Sequence, residues 1–132
     1  MIADLDRHVE EIFRDVPGVV AVYIFGSVAR GQERPESDVD VAVLFADAPA
    51  PTFDAQPYAL EALLERRLGR AVEIVVLNRA PVDLRIRVQR DGCIAVDRDP
   101  AARLRYEVRT RNEAWDIEPI LRRYRQPLRV ER

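Results

Sequence analysis

Seven consecutive apolar residues, Val19 to Phe25 (VVAVYIF), run straight into Gly26-Ser27, and after ten intervening residues come two alternating carboxylates, Asp38 and Asp40. This spacing, GS-x10-D-x-D, constrains the chain more than any other feature. The β-branched and aromatic content of 19–25 reads as a buried strand. Gly26-Ser27 then falls at the strand's exit, where backbone N–H groups leave the ladder. Free N–H groups beside a hydroxyl suit a phosphate.

The acids open a second apolar run, VDVAVLF. In a strand, residues i and i+2 share a face and lie about 6.6 Å apart along the chain. Two carboxylates placed so repel each other and stay ionised together only with a cation between them. Hard oxygen ligands suit Mg²⁺, which is usually completed by water and substrate phosphate rather than by an all-protein cage. Two such ions about 3.5–4 Å apart would clamp the attacking and leaving oxygens of a phosphoryl-type transfer. A third carboxylate is expected for that chemistry, and Glu73, inside the strand-like run AVEIVVLN, is the candidate. Its bland alternative is a place on an exposed edge.

Gly26-Ser27, Arg30-Gly31 and Ser37-Asp38-x-Asp40, with a later acid at Glu73, resemble the minimal nucleotidyltransferases (MNT) of the DNA polymerase β superfamily. More narrowly, the chain is similar to the MNT antitoxin of HEPN/MNT toxin–antitoxin modules. The resemblance implies an α/β fold with a mixed central sheet flanked by helices. It implies that Gly26 and Ser27 hold the nucleotide's β- and γ-phosphates, with Arg30 and Ser37 in the same nucleotide-binding segment. Asp38 and Asp40 would bind Mg²⁺, and Glu73 would share a metal and help deprotonate the attacking hydroxyl. Glu73 stands where this group commonly has Asp, one methylene shorter. The implied reaction moves AMP from ATP to a hydroxyl, with a tyrosine of a HEPN ribonuclease toxin as acceptor and partner. Alternatives are an antitoxin that masks its partner by contact alone, or nucleotidyl transfer to a small molecule or RNA.

Other phosphate folds fit less well. A P-loop needs Lys after the second glycine, where Gln32 stands, and the chain contains no Lys. The dinucleotide fingerprint G-x-G-x-x-G is absent. DVDVAV mimics the D-x-D nucleophile of haloacid dehalogenase-like phosphatases, but there the apolar strand precedes the acids and here it follows them.

At 132 residues the chain is expected to form one domain, 1–132. One cysteine, Cys93, and one histidine, His8, give no disulfide framework and no structural zinc site. The acidic, amphipathic N-terminus is unlike a signal peptide, and no apolar run approaches the ~20 residues of a membrane span, so a cytoplasmic protein is expected. Ten of the 21 basic residues, all Arg, lie from Arg98 onward against six acids. A solvated helix laced with ion pairs is the ordinary reading of that excess; an acidic partner or a nucleic acid is the other.

Periodicity and breakers predict a helix over 2–16, strands over 19–25 and 38–45, and a short helix over 27–30. A Pro/Ala-rich loop then leads to a helix over 58–68 stopped by Gly69. A strand over 71–77 follows, then a helix capped by Asn78 and closed by Gly92, and a strand over 93–97. A last helix runs from Asp99-Pro100 to about Tyr124, with a kink or break expected at Pro119. Tyr106, Trp115 and Tyr124 on that helix are expected to pack against the sheet, with a partner-facing patch as the alternative.

Overall fold

The uninterrupted apolar run 19–25 can be satisfied only at the centre of a sheet covered on both faces, and that is where it sits. In a computed structural model describing residues 2–27, 29, 31, 38–47 and 57–125, the elements run α1 (Ile2–Phe13), β1 (Val19–Phe25), β2 (Val39–Phe45), α2 (Tyr58–Leu68), β3 (Val72–Val76), α3 (Val82–Asp91), β4 (Cys93–Asp97) and α4 (Pro100–Arg125). The sheet order is β3-β2-β1-β4. β1 pairs antiparallel with both β2 and β4, and β2 pairs parallel with β3, so the sheet is mixed. Every residue of β1 is buried.

Alternation sorts the side chains into two cores. Val39, Val41 and Val43 of β2 and Val72 and Ile74 of β3 face α1 and α2, where Leu5, Val9, Phe13 and Leu64 meet them. Ala42 and Leu44 point to the opposite face with Tyr23 and Phe25, under Val88 of α3 and Tyr106 of α4. Removing a fully buried ring such as Phe13 would cost about 3–5 kcal/mol. α4 is bound to this face by polar contacts as well. The Tyr23 hydroxyl donates to Glu107 at 2.7 Å, and Arg103 bridges Asp97 at 2.9 Å and Glu107 at 3.1 Å.

β3 lies at an edge of the sheet, and its outward N–H groups are covered from α2. Val72 N donates to Glu65 Oε2 at 3.0 Å and Ile74 N to Glu61 Oε2 at 2.8 Å. Two carboxylates thus occupy the donors through which an edge strand would otherwise recruit another strand.

Several sequence expectations shift. α1 ends at Phe13, before Pro17-Gly18; Arg98 donates to Phe13 O, the helix's last carbonyl, and, at 2.7 Å, to Val16 O in the turn beyond. Asn78 is not a helix cap. Its side chain pairs with both backbone groups of Phe45, at 2.9 and 2.8 Å, from a 3₁₀ turn over Leu77–Arg79, and α3 begins after Pro81 without a side-chain cap. Pro119 lies inside α4 without ending it. Gly69 closes α2 in the left-handed region at φ 69°. The expected helix over 27–30 lies partly outside the described residues. Tyr106 is buried as expected, whereas Trp115 is 80% exposed, and the Tyr124 side chain is outside the described residues.

Candidate active site

The strand registers place Asp40 beside Glu73, with Asp38 just ahead of the strand that carries Asp40. Asp40 lies opposite Phe25, the last residue of β1, and on its other side opposite Glu73 of β3. Val39 and Val41 point into the core under α1 and α2, so Asp40 points to the other face of the sheet. Asp38, two residues earlier, belongs to the same row and is exposed just before β2. Glu73 sits between the buried Val72 and Ile74 and shares the face of Asp40. Glu73 is thus both an exposed edge residue and the direct neighbour of Asp40, so the two sequence readings describe one position. Val39 N donates to Ala71 O at 2.9 Å, which ties the start of β2 to the start of β3 and fixes this register.

Gly26 explains the spacing of the motif's first half. It has φ 81°, a conformation that L side chains rarely adopt, and a β-carbon there would overlap Oδ2 of Asp40. The exit of β1 therefore passes against the Asp40 carboxylate, with Ser27 next in the same turn. Gly92 brings a third segment to this end of the sheet. A β-carbon at Gly92 would lie 3.1 Å from Ile24 O and 3.4 Å from Phe25 Cβ, so the α3–β4 junction closes on the end of β1. Sequence reasoning read Gly92 only as a helix stop, and nothing local in the sequence marks this contact. Arg30 and Ser37, assigned to nucleotide binding, lie outside the described residues.

This donor set suits a divalent cation completed from outside the protein. Among the described residues no group of three His, Cys, Asp or Glu is placed to hold a metal ion. The arrangement is instead a pair of alternating carboxylates on one strand, a third on the next, and a turn at Gly26 shaped around one of them. Mg²⁺ matches it, because that ion keeps several waters and takes one or two carboxylates together with substrate phosphates.

Comparison with known proteins gives the family and the fold. The family described as "Polymerase beta, Nucleotidyltransferase" matches residues 7–101. MJ1379 of Methanocaldococcus jannaschii, a protein named provisionally as a protein adenylyltransferase, is 34% identical over 74 residues, which cover 56% of this chain and 73% of that protein. Among solved structures, a chain of a toxin–antitoxin with AMP-PNP aligns over 88% of this chain and 94% of its own, with 26% identity and a TM-score of 0.72. A chain of the complex between tri-AMPylated Shewanella oneidensis HEPN toxin and MNT antitoxin aligns over 92% of this chain and 96% of its own, with a TM-score of 0.69. At its 23% identity the likeness is one of fold.

Proposed function

We propose, since this chain belongs to the polymerase β nucleotidyltransferase family, that it moves AMP from ATP to a tyrosine hydroxyl of a HEPN-type toxin and so acts as that toxin's antitoxin. The observation that carries the reading is the register Asp40–Glu73, with Asp38 in the same row and the Gly26 turn built around Asp40. The relative named for protein adenylyl transfer and the toxin–antitoxin chain with AMP-PNP support the substrate and the setting.

In this reading Gly26 and Ser27 bind the β- and γ-phosphates through backbone N–H groups and the serine hydroxyl, and Arg30 and Ser37 belong to the same segment. Asp38 and Asp40 would hold Mg²⁺, two ions in the full site, with Glu73 sharing one of them. When bound, the metal supplies positive charge to the α-phosphate and the pyrophosphate oxygens. The acceptor oxygen attacks the α-phosphorus, and its proton passes to Glu73. The bond from the α-phosphorus to the bridging oxygen breaks, and pyrophosphate leaves with that electron pair. The chain's contribution is placement of the nucleotide and of charge, not covalent chemistry.

The test is incubation of the chain and a purified HEPN-type toxin with Mg²⁺ and ATP labelled at the α- or the γ-phosphate. Label should enter the toxin from the α-position only, and Asp40→Asn should reduce the rate by at least about 100-fold with the fold intact. An equally active Asp40→Asn protein would sink the assignment. The contact-only antitoxin draws on one observation, the lack of a ready-made three-acid metal group among the described residues. Unimpaired toxin neutralisation by Asp38→Ala, with no label transferred by wild type, would favour it.

A further inference from the structure

We propose that the groove between α3 and α4 is the surface on which the toxin partner docks, and that it receives an amphipathic helix with an acidic flank. The inference rests on the partner reading above. The groove measures about 650 Å³, enough for a few side chains of an incoming helix. Val82 and Ile86 of α3 and Ala114 and Ile117 of α4 give it an apolar lining, each only half-buried. Trp115 lines it from α4 with 80% of its surface exposed, and Ile120 farther along the helix is 54% exposed. Tryptophan is among the residues that most often anchor a protein partner, since its ring buries a large area at low conformational cost.

Charge selects the occupant. Arg87, Arg90, Arg111 and Arg122 line the groove; Arg90 pairs with Asp91 at 3.1 Å and Arg122 with Glu118 at 3.3 Å, so Arg87 and Arg111 are the charges offered to an incoming surface with carboxylates. The apolar lining argues for a protein helix over a nucleic acid, whose phosphates would engage the arginines and leave Val82, Ile86 and Ile117 wet. A second copy of this chain is a poor occupant, because its acidic helix α1 already buries Leu5, Val9 and Phe13 in the core.

The walls are held in place before any partner arrives. Arg85 donates to Thr110 at 3.2 Å and to Glu113 at 2.6 Å, and Gln89 donates to Glu107 O at 3.0 Å. A preformed groove spares the complex the ordering of two helices. One wall, α3, belongs to the segment that matches the nucleotidyltransferase family. The other, α4, begins at Pro100, where that match ends at residue 101. A helix beyond the segment that the family model matches, with an aromatic left in water, is suited to a partner rather than to nucleotide chemistry.

The test measures calorimetric binding of a purified HEPN-type toxin from the same cell to wild type, Trp115→Ala, the double variant Arg87→Glu/Arg111→Glu, and Asp40→Asn. The first two variants should weaken toxin binding by at least about 30-fold. Their thermal stability and Mg²⁺–ATP binding should match wild type, and Asp40→Asn should bind toxin normally. Toxin binding within twofold of wild type by both groove variants would overturn the docking surface and leave the partner reading standing. Wild type that fails to bind toxin would overturn both. Displacement of bound toxin from the groove by an RNA oligonucleotide, sensitive to the arginine changes alone, would overturn the protein occupant.

Discussion

Gly26→Ala separates a backbone cost from a site cost. The residue sits at φ 81°, where an alanine pays about 1–2 kcal/mol for a left-handed conformation. Gly69 has nearly the same angle, φ 69°, but a β-carbon there meets nothing within 4 Å. Both alanine variants should therefore lose about 1–2 kcal/mol, or roughly 3–8 °C of melting temperature in a chain of this size. The overlap at Gly26 is with the far end of the Asp40 side chain. It is relieved by swinging that carboxylate away, so it adds little to the stability loss while removing Asp40 from the site. Gly69→Ala should bind Mg²⁺–ATP like wild type, and Gly26→Ala should bind it at least about tenfold more weakly. Calorimetric titration with ATP in the presence of Mg²⁺, alongside thermal melts of all three proteins, makes the comparison. Nucleotide binding by Gly26→Ala within twofold of wild type would refute the coupling between the turn and Asp40.

Tyr23→Phe removes a hydroxyl that donates to Glu107 at 2.7 Å and should cost about 1.5–2 kcal/mol in urea unfolding. Tyr106→Phe should cost less by the same measurement, at most about 1 kcal/mol, because the buried Tyr106 hydroxyl has Thr110 beside it but makes no hydrogen bond of good geometry among the described residues. Burial also raises both phenols, Tyr106 to about 12 and Tyr23 further, from an ordinary value of 10.0. The folded state then keeps protons that the unfolded chain releases, so stability is full below about pH 10 and falls as pH rises through 10 to 12. Melting temperature against alkaline pH reads this out, and Tyr106→Phe should make the decline shallower.

Fold and site were legible to different depths. The strands could be read because their residues leave no choice: VVAVYIF has no polar face and must be covered twice, and CIAVD lies between Gly92 and Asp99-Pro100. The pairing of Asp40 with Glu73 was legible only as a possibility of chemistry. It is set by which strands become neighbours, and a local pattern does not encode that. Asn78 was misread because an Asn before Pro81 offers the same local signal whether its side chain caps a helix or reaches 33 residues back to Phe45. Trp115 was misread for the opposite reason. An aromatic is ordinarily core, but α4 has a buried row, with Tyr106 and Thr110, and Trp115 lies off it.

The position of Glu73 depends on residues well removed from it in sequence. Its neighbours Val72 and Ile74 turn their N–H groups to the open side of β3, and Glu65 and Glu61 of α2 accept them. Those bonds hold the segment on both sides of Glu73 while Glu73 itself faces Asp40, so α2 acts as a clamp on the third acid. Glu61→Ala leaves the Ile74 N–H without its charged acceptor and should cost about 1.5–3 kcal/mol. It should also slow adenylyl transfer while leaving the KM for ATP close to wild type, because Gly26, Ser27 and the Asp38/Asp40 pair lie on other segments. Glu61→Gln keeps an amide oxygen in reach of Ile74 N and should recover most of the rate. Single-turnover transfer and urea unfolding of the two variants decide the matter: a Glu61→Ala protein that loses stability yet transfers AMP at the wild-type rate would show that the edge bonds serve the fold alone.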